Sequence, residues 1–120
     1  MALGDAVNVS SPNYPMYYFD NQECIWYFTK NGNGTFVIEV IDILIETYDA
    51  ILIGSGADHT EADSVLLSTN LILPEGTTIM KDEEHMWMIF RSYLSRRQRG
   101  FKMEWKVISN EGKCKTWCKH

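Results

Sequence analysis

The sequence predicts an all-β fold, a two-layer antiparallel β-sandwich, on three observations. Apolar residues recur at every second position in several short runs, no window of useful length carries the helical period, and turn signals rich in Gly, Pro and Asn separate the runs. A chain of 120 residues is one domain by length. It is long enough to bury roughly 65–70% of its unfolded surface.

The elements follow in order. Val7 and Val9 alternate with polar neighbours, and Ser10-Ser11-Pro12-Asn13-Tyr14-Pro15 breaks the run. Cys24, Trp26 and Phe28 share one face of the next strand. Asn31-Gly32-Asn33-Gly34 holds two Asn-Gly pairs, a strong hairpin signal. After it Phe36, Ile38 and Val40 alternate with Val37, Glu39 and Ile41. Asp49 to Ile53 runs into Gly54-Ser55-Gly56, a strand ended by a turn, and Ser64–Ser68 and Leu71–Leu73 are short apolar runs around Asn70. Pro74-Glu75-Gly76 is another turn. Met86 to Phe90 is apolar throughout and reads as a buried strand. Phe101, Met103, Trp105 and Val107 alternate with Lys102, Glu104 and Lys106, the cleanest alternation in the chain, and demand one wet face. Trp26, Phe36, Ile38, Phe90, Phe101 and Trp105 are the expected core. Residues 1–109 form the expected domain, and 110–120 a C-terminal tail or linker.

Composition excludes several classes. With 45% hydrophobic and 22% charged residues the chain is neither disordered nor fibrous. No run approaches the ~20 apolar residues of a membrane span, so no direct membrane insertion is expected. The first nine residues have neither a basic n-region nor an apolar h-region, so the chain is intracellular or a fragment whose signal lies upstream. A net charge of −5 argues against nucleic acid. That charge is divided unevenly. Residues 1–80 carry one cation and eleven acids, a net −10, whereas residues 81–120 carry ten cations and five acids, a net +5. Either opposed surface patches steer a charged partner, or strand neighbours balance each other across a sheet.

Residues able to carry chemistry are few. The three cysteines are Cys24, Cys114 and Cys118, an odd number that leaves one thiol unpaired or paired elsewhere. Cys114, Cys118 and His120 form a weak zinc pattern without a nearby fourth ligand. A link to a neighbouring segment of a secreted protein accounts for these cysteines better, so all three are disulfide candidates. Asn8-Val9-Ser10 and Asn33-Gly34-Thr35 are glycosylation sequons, the second at the expected hairpin tip. With an all-β chain they favour an extracellular setting. No nucleophile elbow, metalloprotease motif or phosphate loop occurs, and Glu84-His85 reads as polarity beside a strand, so no enzyme is expected. The segment from Arg91 to Lys102 holds Arg91, Arg96, Arg97 and Arg99, with Tyr93 and Leu94 among them. Placed between two strands it should form an exposed basic loop. Arg91, Tyr93, Arg96, Arg97, Arg99 and Lys102 are the candidate partner-binding residues, since arginine forks suit carboxylates and sulfates. The alternative is a solvated loop that guards a strand edge.

These residues together resemble the CUB domain family, in order from Val9 to Val107. Ser11-Pro12-Asn13-Tyr14-Pro15 resembles its S-P-N-Y-P signature and Cys24-Ile25-Trp26 its C-x-W strand. Phe36-x-Ile38-x-Val40-Ile41-Asp42 with Glu46 resembles the strand ending D-F-D-L-E, and Tyr48-Asp49-Ala50-Ile51-Leu52-Ile53 the Y-D-x-L-x-I strand. Phe90-Arg91-Ser92 and Gly100-Phe101 resemble the F-x-S-D and G-F elements. The resemblance implies a jelly-roll-type β-sandwich of two sheets, in a secreted protein or the ectodomain of a membrane protein. Such modules are non-catalytic and bind proteins, sometimes glycans. A heparin- or glycan-binding module acting through residues 91–102, or an ancillary domain of a secreted protease, is the alternative.

The departures from the pattern are informative. The family's second cysteine pair has no counterpart here, and Cys24 matches the second cysteine of the first pair, whose usual partner would fall before or near Met1. Family calcium ligands map onto Glu46 and Asp49, but Tyr93 stands where a third acid is expected, and two residues separate Glu46 from Asp49. Calcium takes roughly 6–8 oxygens, so the resemblance implies an incomplete site and no bound cofactor. Apart from that, Asp49 is expected to hydrogen-bond a turn at a strand end.

Overall fold

The most regular alternation in the sequence becomes the middle of the molecule. The computed structural model describes residues 1–46, 48–60, 65–69 (backbone), 74–93 and 98–109. Eight strands occur among them: β1 (Ala6–Ser10), β2 (Glu23–Thr29), β3 (Thr35–Leu44), β4 (Ala50–Ser55), β5 (Val65–Thr69), β6 (Thr78–Lys81), β7 (His85–Arg91) and β8 (Gly100–Ile108). They form two four-stranded antiparallel sheets, β1-β8-β3-β6 and β2-β7-β4-β5. The two-layer antiparallel sandwich expected from the sequence is the fold.

The inward face of β8 carries Phe101, Met103, Trp105 and Val107, all buried, and Phe36, Ile38 and Val40 of β3 stand beside them. The opposite sheet contributes Phe28, Ile51, Ile53, Met86, Met88 and Phe90. Aromatic rings bridge the layers. Phe28 stacks on Trp105 at 3.8 Å, Phe36 meets Trp105 edge-on at 6.0 Å, and Phe90 packs edge-on against Phe101 at 5.2 Å. Five of the six expected core residues are buried; Trp26 is only partly so, because β2 is an edge strand. β7 shows no alternation because it lies inside its sheet and is covered on both faces. Its Met86, Met88 and Phe90 enter the core, while Trp87 faces outward under the His59 ring.

Two features differ from the sequence expectation. Asn31–Gly34 does not close a hairpin: β2 pairs with β7 and β3 with β8 and β6, so this turn carries the chain from one sheet to the other. β3 lies between β8 and β6, and its Phe36, Ile38 and Val40 are buried in the core between the sheets. The Lys30 ammonium spans the crossing, donating to the Gly34 carbonyl and to Asp82 at 2.6 Å. The second difference is β6, whose four residues are too few to display a period and which forms only by pairing with Phe36–Glu39. Leu71–Leu73 lies outside the described residues.

At one end of the sandwich β3 and β7 finish and β4 and β8 begin, so three connections meet there. Gly100 is required at that point. Its φ is +91°, and a Cβ would stand 1.8 Å from Ser11 Oγ, which accepts the Phe101 N–H.

Candidate recognition site

The connections 11–22, 45–49 and 92–99 are tied together at this pole by a buried tyrosine. Asn13 adopts a left-handed φ of 69° and its side-chain amide donates to the Tyr17 carbonyl at 2.8 Å. The peptide between Tyr14 and Pro15 is cis. The chain thereby turns Tyr18 into the protein, at 2% exposure, and leaves Tyr17 and Phe19 in solvent at 52% and 55%. The Tyr18 ring packs edge-on against Phe90 at 5.2 Å. Its hydroxyl donates to Asp49 Oδ2 and accepts the Glu46 N–H at 3.0 Å.

Asp49 is 1% exposed. Its other oxygen accepts the Tyr93 N–H at 2.9 Å, and its own N–H donates to the Glu46 carbonyl at 3.0 Å. Asp49 forms no ion pair among the described residues. Two hydrogen-bond donors therefore hold this buried carboxylate. Burial, and next the bond to Asp49, hold the Tyr18 phenol well above its ordinary range, so it stays protonated and keeps donating. Around this centre the Gln98 amide donates to Glu46 Oε1 at 3.3 Å, the Ser92 hydroxyl donates to the Phe19 carbonyl at 2.8 Å, and the Gln22 N–H donates to Ser92 Oγ at 3.0 Å. The pole is one cross-linked unit built from three connections. Tyr17, Phe19, Tyr48 and Tyr93 project from it into solvent.

The candidate residues from the sequence separate into groups. Glu46 and Asp49 come together around Tyr18. Tyr93 contributes its N–H to Asp49, while its ring is 54% exposed. Arg91 lies within β7, its Nε on Glu23 Oε2 at 2.9 Å. The Arg99 guanidinium grips Asp42 with two parallel bonds of 2.7 and 2.6 Å and lies 3.8 Å from Glu75. Lys102 sits on β8 opposite Ser10 on one side and Asp42 on the other. Part of the uneven charge division is thus balanced across strands. Arg96, Arg97, Cys114, Cys118 and His120 lie outside the described residues. Cys24 has no disulfide partner among the described residues; it is half-buried, and that burial raises its pKa. Asn8 is exposed on β1 and Asn33 is exposed in the crossing turn.

Two important residues escaped the sequence reading. Tyr18 is one tyrosine beside another in a turn-rich stretch, and no period distinguishes the buried ring from its exposed neighbours. In the sequence Asp42 belongs to a strand motif, and nothing there marks it as the partner of Arg99. Its carboxyl is lowered to about 2, first by the Arg99 bonds and further by the Tyr14 hydroxyl, which donates at 2.7 Å. Since the folded pKa lies below the ordinary 3.8, the stabilisation is complete above that value and is lost as pH falls towards about 2. Asp42→Asn is therefore expected to lower the melting temperature at neutral pH and to narrow its gap from the wild type between pH 4 and pH 2, a window set by this shift. A gap independent of pH would exclude the ion pair as its source.

Among the described residues no group of three or more His, Cys, Asp or Glu is placed to hold a metal. Glu46 and Asp49 offer two carboxylates, and both Asp49 oxygens accept protein hydrogen bonds.

Comparison with known proteins places this geometry. A family model described as CUB domain matches residues 3–105. Cubilin of Sus scrofa is 24% identical over 110 residues, covering 88% of this chain and 3% of that protein. The chain spans about 3% of the length of the curated relatives it matches. The full extracellular region of zebrafish Gpr126/Adgrg6 superimposes with a TM-score of 0.72 at 23% identity, over 91% of this chain and 14% of that one. The MASP-1 CUB2 domain bound to Ca2+ superimposes with a TM-score of 0.62 at 19% identity, over 88% of this chain and 96% of that one. The two structural likenesses show the fold.

Proposed function

The chain belongs to the CUB domain family, and from that premise we propose that it is a non-catalytic, extracellular protein-recognition module whose partner surface is the Tyr18-centred pole. The observation that carries the reading is the cross-linking of three connections through Tyr18 and Asp49 beneath four exposed aromatic rings. Rigid loops on a sheet scaffold are where binding residues concentrate, and exposed tyrosines lose little entropy when they anchor a partner. The extracellular setting is supported by the solved extracellular region that shares the fold and by the two exposed sequon asparagines, Asn8 and Asn33, which we take as glycan carriers.

Charge plays the smaller part in this reading. Arg91 and Arg99 already hold Glu23 and Asp42, so a sulfated or acidic partner would depend on Arg96, Arg97 and Lys102. The test screens the chain, and a Tyr17→Ser/Tyr48→Ser/Tyr93→Ser variant, against an array of secreted and cell-surface ectodomains and on a heparin column. A protein partner lost at least roughly tenfold in the variant supports the pole. Binding to heparin with strong salt dependence, unchanged in the tyrosine variant, replaces it with the basic segment.

Calcium is a component of the related MASP-1 CUB2 structure. In this chain Glu46 and Asp49 would be its carboxylate donors, and hydrogen bonds from Tyr18 and Tyr93 already order the surface the ion would organise. Addition of millimolar calcium is expected to leave the melting temperature unchanged. Sub-millimolar affinity by calorimetry, abolished in Asp49→Ala, would show that the pole is a calcium site after all.

A further inference from the structure

We propose that the chain self-associates through the outer edge of β2, pairing antiparallel with β2 of a second copy about Ile25. Among the described residues β2 has one neighbour, β7, in uninterrupted register. The Ser92 N–H donates to the Gln22 carbonyl and the Lys30 N–H to the Glu84 carbonyl, so the even-numbered positions are those bonded to β7. Alternation of the antiparallel ladder then points the backbone groups of Glu23, Ile25, Tyr27 and Thr29 away from the sheet. The two ends of this edge are closed. Met1 bridges Thr29 and Asn31 with its own backbone groups, and Asn21, at a φ of 51°, turns its N–H onto the Tyr93 carbonyl. What remains open among the described residues is Glu23 to Tyr27, and its midpoint is Ile25.

That open stretch is self-complementary. A two-fold axis at Ile25 sets Ile25 opposite its own copy and Glu23 opposite Tyr27 of the partner subunit. All outward backbone groups of 23, 25 and 27 are satisfied, and no like charges are opposed. Ile25 and Tyr27 are 36% and 54% exposed on the outer face and would be covered together. β2 also lacks the usual protection of an edge. It contains no Pro, Lys or bulge, and its single charge, Glu23, is occupied by Arg91. The edges of the other sheet are guarded by contrast: β1 carries the sequon residue Asn8 at its middle, and β6 is four residues long and ends in Lys81. Closed two-fold pairing is the commonest form of self-association.

Sedimentation of the 120-residue chain under reducing conditions, which removes disulfide-linked species, is the test. A concentration-dependent dimer is expected, weakened at least roughly tenfold by Ile25→Lys and unaffected by Met80→Lys, an equivalent change on the β6 edge. Both variants are checked by circular dichroism, and Ile25→Thr, which keeps the strand, should retain the dimer. Hydrogen exchange at the Ile25 and Tyr27 amides should slow as concentration rises. A chain that stays monomeric to millimolar concentration overturns the proposal, and so does a dimer indifferent to Ile25→Lys. Neither result bears on the Tyr18 pole, which lies beyond Asn21.

Discussion

Trp105→Ala is expected to cost about 3–5 kcal/mol, the range for removing a fully buried large aromatic. Trp105 is inaccessible to solvent and touches both layers, stacked on Phe28 of one sheet and edge-on to Phe36 of its own. Its loss opens a cavity between the sheets that neither ring can fill, because each is held by its strand register. Stability of a domain this size is about 5–15 kcal/mol, so the variant should be close to unfolding at body temperature. Trp105→Phe supplies the control. Among the described residues the buried indole Nε1 has no hydrogen-bond partner, so the smaller ring loses volume but also removes an unsatisfied donor. Chemical denaturation should therefore place Trp105→Phe much nearer the wild type than Trp105→Ala. Equal losses would mean that the core collapses around either substitution and that the interlayer stack contributes little.

Asp49→Ala is expected to destabilise by about 1–3 kcal/mol for each of the two donors it strands, the buried Tyr18 hydroxyl and the Tyr93 N–H. The effect should also be local in character. With Asp49 gone, the Tyr93 N–H loses its acceptor while the Tyr18 N–H still donates to the Gln98 carbonyl, so the Tyr93 amide should lose protection from hydrogen exchange and any partner bound at the pole should dissociate faster. Asp49→Asn keeps an acceptor and the shape but loses the charge, and should fall between. Tyr18→Phe removes the hydroxyl from the other side of the same bond; combined with Asp49→Ala it should cost much less than the two single losses added together, because both delete one interaction. Full additivity would show that Tyr18 and Asp49 act independently and would remove the cross-linked pole as a unit.

The strands were legible wherever one face of the chain meets water. Phe101 to Val107 and Phe36 to Val40 could be assigned residue by residue, because a side-chain period of two leaves only one way to bury the aromatic face. The pairing of strands was not legible in the same way. Asn31–Gly34 has the local chemistry of a hairpin, yet it serves as a crossing between sheets, since β3 pairs with β8 and β6, whose residues lie more than forty positions beyond the turn. β6 exists only as a consequence of that choice. The ordered motifs from Ser11 to Gly100 identified the family, and with it the sandwich.

The candidate site divides along the same line. Sequence by itself determined the all-β sandwich and most of its aromatic core, because those properties depend on the side-chain period, while Glu46 and Asp49 stand out only through the family resemblance. Only the tertiary structure decided that Tyr18, rather than Tyr17, is the buried ring, that it meets Asp49 from 31 positions away, and that Arg91 and Arg99 pair with acids of their own molecule. A side chain's partner across a fold is set by sheet register and by the path of the loops, and the cost of leaving a buried carboxylate or hydroxyl unbonded is what selects the one arrangement in which these groups meet.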